Sequence, residues 1–276
     1  MSRTLLLGAV LLGLACATRP LAAEELKTAD EVIAKYIQAI GGREKMDAIK
    51  TMKCTGKFAF QGGMEAPLTM EFKRPNKVRV EFTFQGMTGT QAFDGELGWF
   101  IMPFTGRTDP EKMSPDQLKA IEDQADFDGP LVDYQKKGHK IELLGKDEAE
   151  GSPAYKLKVT KKSGEVEYQF LDAEQFIPIK TAGKREFQGM QMEYEVAFGD
   201  FRSVAGMLFP HVIRQKTGQM GENTMTLEKV EANVPIEDER FAMPKPKPTE
   251  PPKEAAAPAD TGKPESKGTP SENKKP

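Results

Sequence analysis

Apolar and polar residues trade places one by one along most of the middle of this chain, and that period of two constrains the fold more than any other feature. Met52, Cys54, Gly56, Phe58 and Phe60 alternate with Lys53, Thr55 and Lys57, the pattern of a strand with one wet face. The alternation returns in Met70/Phe72, Val78/Val80/Phe82/Phe84, Tyr155/Leu157/Val159, Val166/Tyr168/Phe170, Met190/Met192/Tyr194/Val196/Phe198 and Met225/Leu227. Turn sequences part the runs: Gln61-Gly62-Gly63, Pro75-Asn76, Asp94-Gly95, Gly151-Ser152-Pro153 and Ser163-Gly164. Spacing of this kind predicts about eleven strands.

Helices are few. Thr28 and Glu31 form a capping-box pattern ahead of Val32, Ile33, Tyr36, Ile37 and Ile40, and Gly41-Gly42 ends the run. A short helix over residues 43–49 follows. A third opens at Ser114-Pro115 with Gln117 completing its box and Leu118 and Ile121 on one face. An antiparallel sheet this large must curl, and its apolar face must be covered. The expected fold is therefore mainly β with some α: a strongly curved antiparallel sheet wrapped around the short helices. Such a sheet tends to enclose an apolar cavity. Methionines at inward positions suit either plain core or an adaptable apolar lining.

The two ends of the chain read differently from its middle. Met1-Ser2-Arg3, an apolar run from Leu5 to Ala17 and Leu21-Ala22-Ala23 make a secretory signal over residues 1–23, with an apolar core too short to span a bilayer stably. In a second reading Cys16 is a lipidated N-terminus, since Leu14-Ala15-Cys16 resembles the end of a lipobox. From Pro244 onward the chain holds nine of its twenty prolines and no aromatic residue, so residues 245–276 read as a disordered Pro/Lys/Glu-rich tail. One domain over 24–244 lies between. The net charge of −3 gives no reason to expect nucleic acid as a partner.

Chemistry-bearing motifs do not appear. There is no HExxH, CxxC, GxSxG or phosphate-cradling loop, so no enzyme, no cofactor and no metal is expected. His139 and His211 read as turn or surface residues rather than ligands. Cys54 reads as a buried, inert thiol. The acidic groups Glu122-Asp123 and Asp126 to Asp128 read as a solvated helix end. Trp99 sits in a dense aromatic strand, Trp99-Phe100-Ile101-Met102-Pro103-Phe104, either as core or as the lining of an apolar cavity.

Phe72-Lys73-Arg74-Pro75-Asn76, then Asp94-Gly95, then Leu97-Gly98-Trp99-Phe100 with Pro103-Phe104, resembles the LolA-type periplasmic carriers of outer-membrane lipoproteins. Arg240-Phe241-Ala242-Met243-Pro244 looks like that family's last strand. The resemblance implies a strongly curved, incomplete antiparallel β-barrel closed by short helices, in a non-enzymatic periplasmic protein that holds the acyl chains of lipoproteins or other lipids in an apolar cavity, received from and passed to membrane partners. It places Arg74 at the arginine that hydrogen-bonds backbone groups of a helical lid. Phe72, Val80, Phe82, Trp99, Phe100, Met192 and Tyr194 would then line the ligand site. A lipid-anchored receptor or an envelope interaction module of the same fold is the alternative. Without the resemblance, Arg74 reads as a solvated turn charge.

Overall fold

The protein is described by a computed structural model covering residues 26–187, 190–218 and 221–245; the expected signal segment with Cys16, and all of the expected tail but Lys245, lie outside these residues. Three helices, α1 (Ala29–Ala39), α2 (Arg43–Ala48) and α3 (Pro115–Ala125), accompany thirteen strands. The first meander is β1 (Thr51–Ala59), β2 (Glu65–Lys73), β3 (Lys77–Phe84), β4 (Met87–Phe93), β5 (Gly98–Met102) and β6 (Arg107–Lys112). The second is β7 (Lys140–Ala149), β8 (Ser152–Thr160), β9 (Val166–Asp172), β10 (Pro178–Phe187), β11 (Met190–Val204), β12 (Met207–Thr217) and β13 (Glu222–Ala232).

All strands form one antiparallel sheet in the order β6-β5-β4-β3-β2-β1-β13-β12-β11-β10-β9-β8-β7. Each meander pairs strand with next strand, and the two join where β1 pairs with β13. A bulge between Thr55 and Gly56 marks that seam. A Cβ at Gly56 would lie 2.0 Å from the Thr226 carbonyl oxygen, so only glycine lets the first and last strands come this close. The sheet does not close, because β6 and β7 are its edges. The connection through α3 carries the chain from one edge to the other.

This is the curled, open, helix-covered β architecture that the alternation predicts, with thirteen strands in place of about eleven. The uncounted ones include β6, Arg-Thr-Asp-Pro-Glu-Lys, which is exposed at five of its six positions. An edge strand wet on both sides leaves no period-two signal.

Capping gives α1 and α3 their starts as expected. Thr28 and Ser114 accept from the backbones of Glu31 and Gln117, and those side chains reach back to the cap backbones. The helices lie on the concave face. Ile121 and Ala125 of α3 join a core with Cys54, Leu68, Met70, Val78, Val80 and Phe93. Val32 and Ile33 of α1 pack with Tyr155, Leu157, Val159 and Leu171. Near α2, Met46 and Ile49 meet Ile40, Val132 and Met207.

Antiparallel order places the β1–β2, β3–β4, β5–β6, β8–β9, β10–β11 and β12–β13 turns at one end of the sheet, and α2 with the remaining turns at the other. In sequence, the links between β1 and β2, β3 and β4, and β10 and β11 carry nearly one phrase: Phe60-Gln61-Gly62-Gly63-Met64, with one glycine more, Phe84-Gln85-Gly86-Met87 and Phe187-Gln188-Gly189-Met190. In the second, Gln85 and Gly86 both take positive φ, 49° and 77°, as a two-residue hairpin turn requires. Met64, Met87 and Met190 are exposed.

The closing segment corrects one expectation. Arg240-Phe241 is not a last strand: Asp238–Arg240 form a 3-10 turn, and residues 234–241 run as a strap over the convex face. Val234 takes a bond from Thr51, Ile236 from Lys73, and Asp238 pairs with Lys73 and Lys77. Five residues, Arg240 to Pro244, with a fully buried Phe241 among them, are too few for alternation to tell a strand from a strap.

Candidate functional site

Arg74 stands where β2 leaves the sheet, on the concave side with Phe72, Met70 and Leu68. Its Nε donates to the Ile49 carbonyl at 2.7 Å and Nη2 to the Met46 carbonyl at 3.0 Å. These carbonyls lie at the end of α2, where a helix leaves acceptors short of partners, although the Met46 carbonyl also takes the Ile49 N–H at 3.3 Å. The other edge of the guanidinium pairs bidentately with Asp128, in the connection after α3. Its face lies 4.5 Å from the ring centre of Phe127, and Phe127 meets Phe72 edge-on at 6.2 Å. One side chain thus ties a strand end, a helix end and the α3 connection together. Nearby on α1, burial first and then the carboxylates of Asp128 and Asp126 push the Tyr36 hydroxyl up to about 12.

The acidic run after α3 is therefore not a solvated helix end. Asp128 faces Arg74 with a side chain only 15% exposed, Asp126 takes two bonds from Lys137, and Asp123 pairs with Lys161 at 2.7 Å. Sequence spacing hid this because every partner is distant along the chain.

Val80, Phe82 and Phe100 share the concave face of the first meander with Phe72. Val80 packs in the α3 core, with Phe82 against it, and Phe82 meets Phe104 at 5.2 Å. Phe100 pairs with Gln91, whose amide donates to Gln124 of α3. Trp99 faces the other way. Its neighbours across the strands are Ala92 and Arg79 on the convex face, its indole N–H donates to the Phe241 carbonyl at 2.7 Å, and it is 1% exposed beneath the strap. Alternation alone separates it from Phe100, so Trp99 does not line the concave side.

Met192 and Tyr194 lie on the concave face of β11, in a more polar neighbourhood. The Tyr194 ring lies over Gly183, where a Cβ would come within 2.9 Å of it. Its hydroxyl donates to buried Glu167 at 3.1 Å. Glu167 also takes Gln169 at 2.7 Å and Lys161 at 2.9 Å. Burial and then Glu167 raise the Tyr194 hydroxyl above its ordinary range. Burial alone would lower the Lys161 ammonium, but Glu167 and Asp123 outweigh it and raise it. Lys161 thereby joins α3 to β9.

Two further expectations change here. In β9 the apolar set Tyr168 and Phe170 packs on the convex side with Ala149, Ala154 and Ala182, while Glu167 and Gln169 face inward. His211 is no surface residue: it sits within β12 at 4% exposure, its Nδ1 3.0 Å from the Phe209 carbonyl. His139 precedes β7, where its Nδ1 accepts from the Lys162 backbone, and burial lowers its pKa. Cys54 is buried, and burial pushes its thiol up to about 12. Outside the sheet, a polar groove of about 540 Å³ lies between the β2–β3 and β4–β5 turns and the strap, lined by Asn76, Lys77, Asp94, Glu96 and Asp238 among others. Among the described residues no cluster could hold a metal ion, and no helix is long and apolar enough to cross a membrane.

No local motif in the sequence singles out Lys161, Glu167 or Arg185, and Asp128 reads there only as part of a solvated helix end. Glu167 and Gln169 had one available signal: they alternate with the aromatic residues of β9, so one face of that strand had to be polar. The thrice-repeated Phe-Gln-Gly-Met phrase was equally legible.

No family model and no curated protein matches this sequence. Solved structures do match. A protein domain named for outer membrane lipoprotein sorting, from Vibrio parahaemolyticus, aligns with TM-score 0.55 and 11% identity over 77% of this chain and 97% of its own. A LolA superfamily protein from Nitrosomonas europaea aligns with TM-score 0.52 and 16% identity over 79% and 98%. A DUF1329 family protein from Desulfovibrio piger gives 0.51 and 10% over 79% and 98%. At these identities the likeness is one of architecture: the chain has the LolA-type fold, an open curved antiparallel sheet with short helices on its concave face.

Proposed function

We propose that this protein is an exported, non-enzymatic carrier that shelters the acyl chains of lipoproteins or other lipids on its concave face, between membrane donor and acceptor partners. The observation that carries this reading is the Arg74 junction. There α2 and the connection after α3 meet in one side chain, whose bonds a swing of both would break together. Hydrogen bonds to a charged group contribute about 1.5–3 kcal/mol each. Burying a chain of a dozen methylenes returns about 0.8 kcal/mol apiece, roughly 10 kcal/mol in all, enough to open such a latch on loading. An empty carrier is then shut and a loaded one open, a two-state device biased by its cargo. The signal over residues 1–23 and the tail over 245–276 belong to the same reading.

The test is what the mature protein holds after export and purification. Native mass spectrometry and lipid extraction should recover bound lipid, and a fluorescent fatty-acid probe should bind one-to-one. Lipid-free protein that takes up no probe would sink the carrier reading. It would favour an interaction module whose interior is simply filled, for which the packing of Ile121 and Leu118 against the first meander speaks.

A further inference from the structure

Eight arginines lie among the described residues, and seven of them pair with a carboxylate. Arg43 meets Asp47 and Asp133, Arg74 meets Asp128, Arg79 meets Glu81, Arg107 meets Glu111, Arg202 meets Asp200, Arg214 meets Glu150, and Arg240 meets Glu71. Arg185 has no carboxylate partner among the described residues. It lies on β10 two residues beyond Gly183, hence on the concave face, directly across from Met192. Its guanidinium stacks on Tyr194, 4.8 Å from the ring centre. One N–H donates to Thr217 at 3.4 Å.

A guanidinium carries five N–H donors in a rigid fork. Among the described residues only one of those of Arg185 finds an acceptor, and a long one. Among the described residues no buried side-chain nitrogen lacks a partner, so a donor of Arg185 with no acceptor there is not shut away from solvent. Glu167, the carboxylate that accepts from Tyr194, is already taken by Lys161 and Gln169 as well. Tyr194 holds the fork in place by stacking and leaves its edge unspent. Beyond it on the same concave face, Val196, Phe198 and Ile213 remain partly exposed. A fixed cation beside an apolar strip matches an amphiphile with a negative head.

We infer that Arg185 receives the anionic head of an acyl ligand, a carboxylate or a phosphate, while the chain lies along the concave strip of β11 and β12. This rests on the carrier reading and narrows it to ligands of one charge. The head would sit near the turns that bear the exposed Met64, Met87 and Met190, at the end of the sheet away from the Arg74 latch.

The test measures binding of three probes of matched chain length to the full mature protein: oleate, an oleoyl lysophosphatidic acid and uncharged monoolein. Wild-type protein should prefer each anion over monoolein by about tenfold or more, with the preference shrinking in high salt. Arg185→Gln should abolish the preference while leaving monoolein binding unchanged, and Arg185→Lys should keep part of it. Preference for oleate alone or for the phosphate alone identifies the head group and sustains the inference. Binding of monoolein equal to that of both anions in wild-type protein, or a preference that survives Arg185→Gln, overturns it and leaves the carrier reading standing. Failure of all three probes overturns both.

Discussion

The concave face of the first meander and that of the second are built from the same alternation and finished differently. Under α3, the strands β1 to β4 present Cys54, Leu68, Met70, Val80 and Phe93, and Ile121 closes over them into a buried apolar core. On β9 to β12 the inward positions mix the apolar Met192, Val196, Phe198 and Ile213 with Glu167, Gln169, Thr181, Arg185, Tyr194 and Gln215. There the order comes from a chain of bonds, Asp123 to Lys161 to Glu167 to Tyr194. Apolar burial is stabilising in proportion to area, whereas a buried polar network contributes mainly geometry and a penalty for any member left alone. The first region should therefore carry stability, and the second should hold particular donors in place.

That division can be broken most directly by truncating each side in turn. Ile121→Ala should lower stability in urea by about 3 kcal/mol, the usual loss for a buried aliphatic cut to alanine. Tyr194→Phe should cost about 1 kcal/mol or less, because Glu167 keeps two other donors. Equal losses would erase the distinction. Next in size, Arg74→Leu should cost about 2 kcal/mol by releasing Asp128 and two helix-end carbonyls. Hydrogen exchange should then quicken around α2 before it changes in β8, and Arg74→Lys should rescue less than half. Uniform acceleration across the sheet would mean that Arg74 supports the whole fold rather than one junction.

The smallest effect concerns Cys54. Its folded pKa is raised from about 9 to about 12 by burial, so the unfolded chain loses the proton first as the solution turns alkaline. The linked stability is whole below pH 9 and drains as pH rises toward 12. Cys54→Ala should flatten the slope of stability between pH 9 and 11. An unchanged slope would show that the thiol is not the group that titrates.

Much of this was legible in the residues. Period-two runs located most strands, and the caps at Thr28 and Ser114 located two helices, because these signals are local. Pro75-Asn76 announced the reversal that brings Arg74 to the rim. What alternation cannot say is which of two faces turns inward when both carry large side chains. In β9 the rings of Tyr168 and Phe170 lie outside, within reach of the Lys156 ammonium at 5.4 and 5.3 Å, so the polar residues point inward. Arg74 with Asp128, Lys161 with Asp123 and Thr51 with Val234 join positions far apart in sequence, and no spacing rule reaches that far. His211 follows a proline that suggests a turn, yet Pro210 lies inside β12, paired with Phe201.

Trp99 is the chain's one tryptophan, and its indole hydrogen bond ends on the strap rather than on the concave face. Its emission is therefore a built-in gauge of whether residues 234–241 are seated. It should redden when the strap lifts, and it should stay still when a ligand occupies the other side of the sheet. A titration followed by tryptophan light would miss the cargo and report the buckle.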